Sequence, residues 1–156
     1  MSFIPDLSIS IFNLLLFGGI GAILFLLFIG IRYIPNSRVG IVEKHFSLKG
    51  SIEMGFIALN KEAGFQPSVL RGGIHFLIPF QYSVHKVPLV TISQGKIGYV
   101  FARDGQPLDP TQVLASNEQA RDFQNVIQFL KDGGQRGPQR MVLREGTYAI
   151  NLAQFV

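Results

Sequence analysis

The chain has 156 residues, 47% hydrophobic and 15% charged, with 17 Gly, 8 Pro and no Cys. Its mean hydropathy of +0.31 and its scarcity of charge exclude a disordered, collagen-like or disulfide-stapled chain, and the lack of Cys removes thiolate nucleophiles and Cys-ligated metal centres. The net charge of +4 is unevenly placed: residues 1–31 hold one charged side chain, Asp6, and the other 125 carry a net +5 in near-normal composition, enough for one domain with a core.

The first 31 residues concentrate the apolar excess. Ile11–Ile31 reads IFNLLLFGGIGAILFLLFIGI, 21 residues with Asn13 as the one strongly polar side chain. A helix of that length spans roughly 31 Å, the thickness of a bilayer's hydrocarbon core. A cleaved signal peptide would have a basic start, a shorter run and a small-residue cleavage site. This start is acidic and the run is long, so a retained transmembrane helix is expected. Ile11, Phe12, Leu16, Phe17, Leu24, Phe25, Phe28 and Ile31 would face lipid, and Arg32 and Tyr33 would form the interfacial anchor. Arg32, Arg38, Lys44 and Lys49 follow the run and no Lys or Arg precedes it. The positive-inside rule then puts a short tail (residues 1–10) outside and the domain (residues 32–156) in the cytoplasm. The Gly18/Ala22 pair offers a small-xxx-small approach for another helix, or only the ordinary glycine content of membrane helices.

Beyond the helix the pattern is α+β. Val39–Phe46 is rich in β-branched residues and bounded by Pro35-Asn36-Ser37 and Gly50, which predicts a strand. Phe56–Leu59 and Ile74–Phe80 are short apolar runs, the latter after Gly72-Gly73. Tyr82–Ile92 is the longest strand candidate, with Pro88 marking an edge or bulge. Gln94-Gly95 turns into Ile97–Phe101, where large apolar groups alternate, and Asp104-Gly105 turns again. This spacing predicts an antiparallel sheet. Ser116 with Gln119 matches a capping box, and Ala120, Phe123, Val126/Ile127 and Leu130 recur at helical spacing before Gly133. An amphipathic helix over Asn117–Asp132, packed on the sheet, is expected. Met141–Tyr148 is open between helix and strand, and Ala149–Val156 reads as the start of a strand. Ending on Phe155-Val156, the sequence reads as the N-terminal piece of something longer.

Chemistry-bearing patterns are sparse. His45, His75 and His85 would have to converge with a carboxylate to hold a metal, and Glu43 shares a strand face with His45. HExxH, Walker A, G-x-S-x-G and dinucleotide fingerprints are missing. The loop Gly133-Gly134-Gln135-Arg136-Gly137-Pro138-Gln139-Arg140 brings Arg136 and Arg140 together with glycines. It reads either as a subunit contact, as a phosphate-binding nest for a lipid headgroup, or as a GXXG nucleic-acid loop, which needs a helix on each side. The run Gly73–Phe80 places Phe76, Leu77, Ile78 and Phe80 around a proline, and Phe65 sits between Gly64 and Pro67. Close to a bilayer, these are candidates to dip into its interface.

An apolar helix followed by Pro35-Asn36-Ser37-Arg38-Val39-Gly40-Ile41-Val42-Glu43-Lys44 resembles the opening of the stomatin/prohibitin/flotillin (SPFH, band 7) superfamily. Leu70-Arg71-Gly72-Gly73-Ile74-His75-Phe76-Leu77-Ile78-Pro79-Phe80 resembles that superfamily's second signature block, at a longer spacing than in stomatins or prohibitins. The stretches 94–105, 133–140 and 143–152 are similar to the bacterial flotillin-like branch. The resemblance implies a membrane-proximal α/β domain and a large homo-oligomeric ring or cage on the bacterial inner membrane. It implies a scaffold that confines a membrane microdomain, an NfeD-type membrane partner, and neither catalytic residues nor a cofactor. A nucleic-acid partner is not expected. Two rival readings stand beside it: a regulatory module that holds or shields a membrane protease or transporter, and an anchored hydrolase, which requires the three imidazoles to converge.

Overall fold

The computed structural model describes residues 4–116, 118 and 120–156, with the side chains of residues 4–9 and of Arg121 left aside. The chain is α+β, with an apolar N-terminal helix and four small antiparallel sheets among the described residues. Helix α1 covers Ile4–Gly30 and passes without an intervening residue into β1, Ile31–Ile34. The helix therefore stops one residue before the predicted end, and Ile31 belongs to a strand. The segment Ser10–Gly30 is long and apolar enough to cross a membrane; its residues 10–28 are exposed, and Gly30 is buried at the junction.

The central sheet has the order β3-β2-β5, from β2 (Arg38–Lys44), β3 (Gly64–Leu70) and β5 (Tyr82–Pro88). β2 lies in the middle, with Val39, Gly40, Ile41 and Val42 all buried. This explains why its sequence shows no polar alternation: both faces are covered. Gly40 is required by close approach, since a Cβ there would meet Ile34 Cδ1 at 2.6 Å and Val84 Cγ1 at 2.7 Å. Between Ile41 and Glu43 the register with β3 shifts. The extra β3 residues surround Pro67, which has no N–H to give the ladder. The buried Asn151 amide answers the disruption by donating to the carbonyls of Gln66 at 3.0 Å and Pro67 at 3.1 Å.

Pro88 ends β5, and the chain re-forms as β6 (Val90–Ile92) in a separate two-stranded sheet with β9 (Gly146–Tyr148). The long predicted strand Tyr82–Ile92 is thus two strands broken at Leu89. The alternating segment 97–101 contributes an isolated bridge at Gly98 and then β7 (Phe101–Ala102), paired with β8 (Gly137–Pro138).

The expected helix over 117–132 is mostly not a helix. A 3₁₀ turn at Arg121–Phe123 precedes a six-residue α2, Val126–Lys131, capped by the Asn125 side chain, which accepts from Gln128 N–H at 3.0 Å. Asp122 and Phe123 hold φ of 58° and 55°, in the left-handed region that no helix continues through. The capping-box partner Gln119 and Asn117 lie outside the described residues. Ala120, Phe123 and Val126 of the predicted period are nevertheless buried, whereas Ile127 and Leu130 are half-buried and Phe129, outside that period, is buried, so the period reports burial in part and without helix. Phe123, Phe129 and Phe155 close the core, with ring centroids 5.1 to 6.5 Å apart. The predicted C-terminal strand is instead a turn, stitched by Asn151 Oδ1 accepting from Ala153 N–H and by bonds both ways between Phe101 and Val156. Its polar groups are buried amides that satisfy backbone, which a strand pattern does not disclose.

Asp104 fastens the 51–63 loop to this core. Its carboxylate accepts from the N–H groups of Phe56 (2.8 Å), Ile57 (3.2 Å) and Gly105 (2.8 Å). Bonds to a charged acceptor contribute about 1.5–3 kcal/mol each net of water, and less where the donor is exposed and water can replace the carboxylate, as at Phe56. Asp104→Ala should therefore lower unfolding stability by about 2–3 kcal/mol, read as the midpoint of a urea titration, with Asp104→Asn recovering part of the loss.

Candidate site: an apolar ribbon at the end of the helix

The sequence Ile74-His75-Phe76-Leu77-Ile78-Pro79-Phe80 alternates, and the backbone converts that alternation into one outward face. β4 (Gly73–Phe76) pairs antiparallel with β1 so that Ile31 lies opposite Phe76, and Tyr33 opposite Ile74. Opposed residues of a strand pair share a face. Ile31, Tyr33, Ile74, Phe76, Ile78 and Phe80 are all 48–76% exposed. Their neighbours Arg32, His75, Leu77 and Pro79 are half-buried and Ile34 is fully buried. The ribbon is amphipathic, with its apolar side turned away from the domain.

The junction with α1 is tight. Leu77 N–H donates to the Gly30 carbonyl at 2.9 Å. The Phe76 ring lies directly over Gly30, where a Cβ would clash with it and come within 2.8 Å of the Leu77 carbonyl oxygen. The Arg32 guanidinium turns back and donates to the Ile29 carbonyl at 2.6 Å and the Ile31 carbonyl at 3.3 Å. It thereby satisfies and complements the negative end of the helix dipole. Past β4 the chain bends at Pro79-Phe80, with Phe80 at φ 65°, and Phe76, Ile78, Pro79 and Phe80 line a crevice together with Ile23, Leu26 and Leu27 of α1.

Of the residues singled out from sequence, Phe76, Ile78 and Phe80 sit together on this face. Leu77 points the other way. Phe65 is not in a loop: it lies in β3, half-buried, stacked on Phe56 at 5.7 Å and packed against the core. Ile74, and the joining of Ile31 and Tyr33 to the loop, escaped the sequence reading. The period of two across Ile74, Phe76, Ile78 and Phe80 was the available signal.

Arg136 and Arg140 are exposed on the far loop, with Gly137 and Gln139 buried between them. The loop is held rather than open. The N–H groups of Gly134, Arg136, Gln139 and Arg140 already donate to backbone carbonyls, and buried Gln139 donates to the Gln135 and Gly137 carbonyls. Those four N–H groups are spent within the fold and are not free to join a phosphate nest. The GXXG stretch lies between α2 and β8 and so does not have the flanking helix pair.

The three histidines do not share a partner. His45 Nε2 bonds Ser83 Oγ at 2.7 Å, His75 Nε2 bonds the Arg71 carbonyl at 2.7 Å, and His85 Nε2 bonds Glu43 Oε2 at 2.8 Å. Glu43 thus pairs across the sheet with His85, and not with His45 on its own strand. Among the described residues, no group of three His, Asp or Glu is placed to hold a metal ion.

Comparison with protein-family models, curated proteins and solved structures finds no match to this chain.

Proposed function

We propose that the chain is the membrane-anchored, membrane-proximal part of a homo-oligomeric scaffold of SPFH type, and that it acts by confinement rather than catalysis. The observation that carries this reading is the continuity of an apolar, unburied helix with an apolar ribbon face at its end. A domain joined to a bilayer span by zero residues has its first strand at the interface. Six exposed apolar side chains at that level are at home in the headgroup–acyl boundary and costly in water. Tyr33 belongs to the interfacial aromatic belt, and Arg32 supplies the cation beside it. In this reading α1 crosses the bacterial inner membrane, with the tail outside and residues 32–156 lying flat on the cytoplasmic leaflet. Copies standing side by side then wall off a patch of membrane.

A closed ring needs two different surfaces on each copy. The exposed Arg136 and Arg140, on a loop held rigid by Gln139, are suited to one of them. Arg136→Glu combined with Arg140→Glu should break a large particle into small ones while circular dichroism and the melting transition stay unchanged. Native mass after gentle solubilisation measures this. A particle of unaltered size in the double variant would remove the arginine loop from the contact, and a wild-type monomer would remove the scaffold itself.

A further inference from the structure

We infer that the crevice between α1 and the 76–80 loop holds one acyl chain of a membrane phospholipid, a reading that rests on the membrane anchoring proposed above. The crevice has a volume of about 400 Å³ and is walled by Ile23, Leu26 and Leu27 on one side and by the loop on the other. That volume is in the range of small-molecule sites. Its side-chain walls are hydrocarbon throughout, so it offers a sugar, nucleotide or headgroup no side-chain hydrogen bond. An apolar ligand is what it suits.

Its shape is built in. Gly30 admits the Phe76 ring against the helix, Leu77 N–H pins the loop to the Gly30 carbonyl, and Pro79 stiffens the return. Ile23, Leu26, Leu27 and Gly30 fall on one helix face by their spacing of three and four. The crevice therefore runs along the last two turns of α1, with Arg32 just past its end. A hydrocarbon chain lying parallel to the helix brings its polar end to the level of that guanidinium. A second helix fits less well: at about 10 Å diameter, a single turn fills a comparable volume.

The site differs from general lipid contact in one respect that can be measured. A chain gripped on two sides stays with the protein when bulk lipid is removed. The full chain, extracted into a mild non-ionic detergent and purified, should keep one phospholipid per subunit, measured as lipid phosphate and by intact mass. Leu27→Trp and, from the opposite wall, Ile78→Trp should each fill the crevice and lose that lipid, while both variants still resist alkaline carbonate extraction from membranes. Wild-type protein carrying only detergent, or a second polypeptide in place of the lipid, would overturn the inference, as would equal retention in both variants. Wild-type protein released by carbonate would overturn the anchoring, and this inference with it.

Discussion

Ile78→Asp together with Phe80→Asp should lift the 76–80 loop out of the bilayer without unfolding the domain. Both side chains are more than half exposed, so the core loses little. In the interface each buried apolar side chain contributes about 1.5–3 kcal/mol when fully covered, and a carboxylate in apolar surroundings costs a comparable amount or more. The two changes together move the loop from held to free. The chain has no Trp, so Tyr33→Trp gives a single reporter on the ribbon face. Brominated lipid should quench it strongly in the otherwise wild-type protein and weakly in the double-Asp variant. Equal quenching in both would mean that α1 alone sets the depth of the ribbon.

Phe155→Ala should be the most damaging single substitution. Phe155 is 1% exposed, and its ring meets those of Phe123 and Phe129 edge-on at 5.2 and 5.1 Å. Truncating such a ring removes its transfer free energy and leaves a cavity, about 3–5 kcal/mol in total, with up to about 1.5 kcal/mol of that from each lost aromatic pair. Domains are typically stable by only about 5–15 kcal/mol, so this one substitution removes a substantial share of the margin. Chemical denaturation followed by Tyr fluorescence or circular dichroism checks it. A loss below about 1 kcal/mol would mean that the turn carrying Phe155 is peripheral.

Much of this architecture is legible in the sequence where one physical rule acts alone. The apolar helix is visible from composition, and β2 and β5 from β-branched runs bounded by turn residues. β3 is not, because Gln66, Pro67 and Ser68 break any alternation and the strand survives through pairing and the Asn151 amide. The 117–132 helix fails for the opposite reason. Its apolar period holds in part, since Ala120, Phe123 and Val126 are buried while Leu130 is half-buried, but left-handed backbone at Asp122 and Phe123 delivers those side chains without helical continuity. The ribbon was half legible. The run Phe76–Phe80 stands out in the sequence, whereas the pairing that sets Ile31 beside Phe76 and Tyr33 beside Ile74 is a contact across more than 40 residues, invisible to any local pattern.

The zero-length junction between α1 and β1 also has a mechanical consequence. With Gly30 at once the last helical residue and the seat of the Phe76 ring, the helix and the ribbon turn together as a lever. Membrane helices tilt, by about 20° on average, to match their apolar length to the local bilayer. In the proposed membrane-anchored assembly, a change in bilayer thickness around α1 would then tilt the ribbon with the helix, and alter the wedge that each copy presents to its neighbour. On that proposal, bilayer thickness would set the curvature at which neighbouring copies meet.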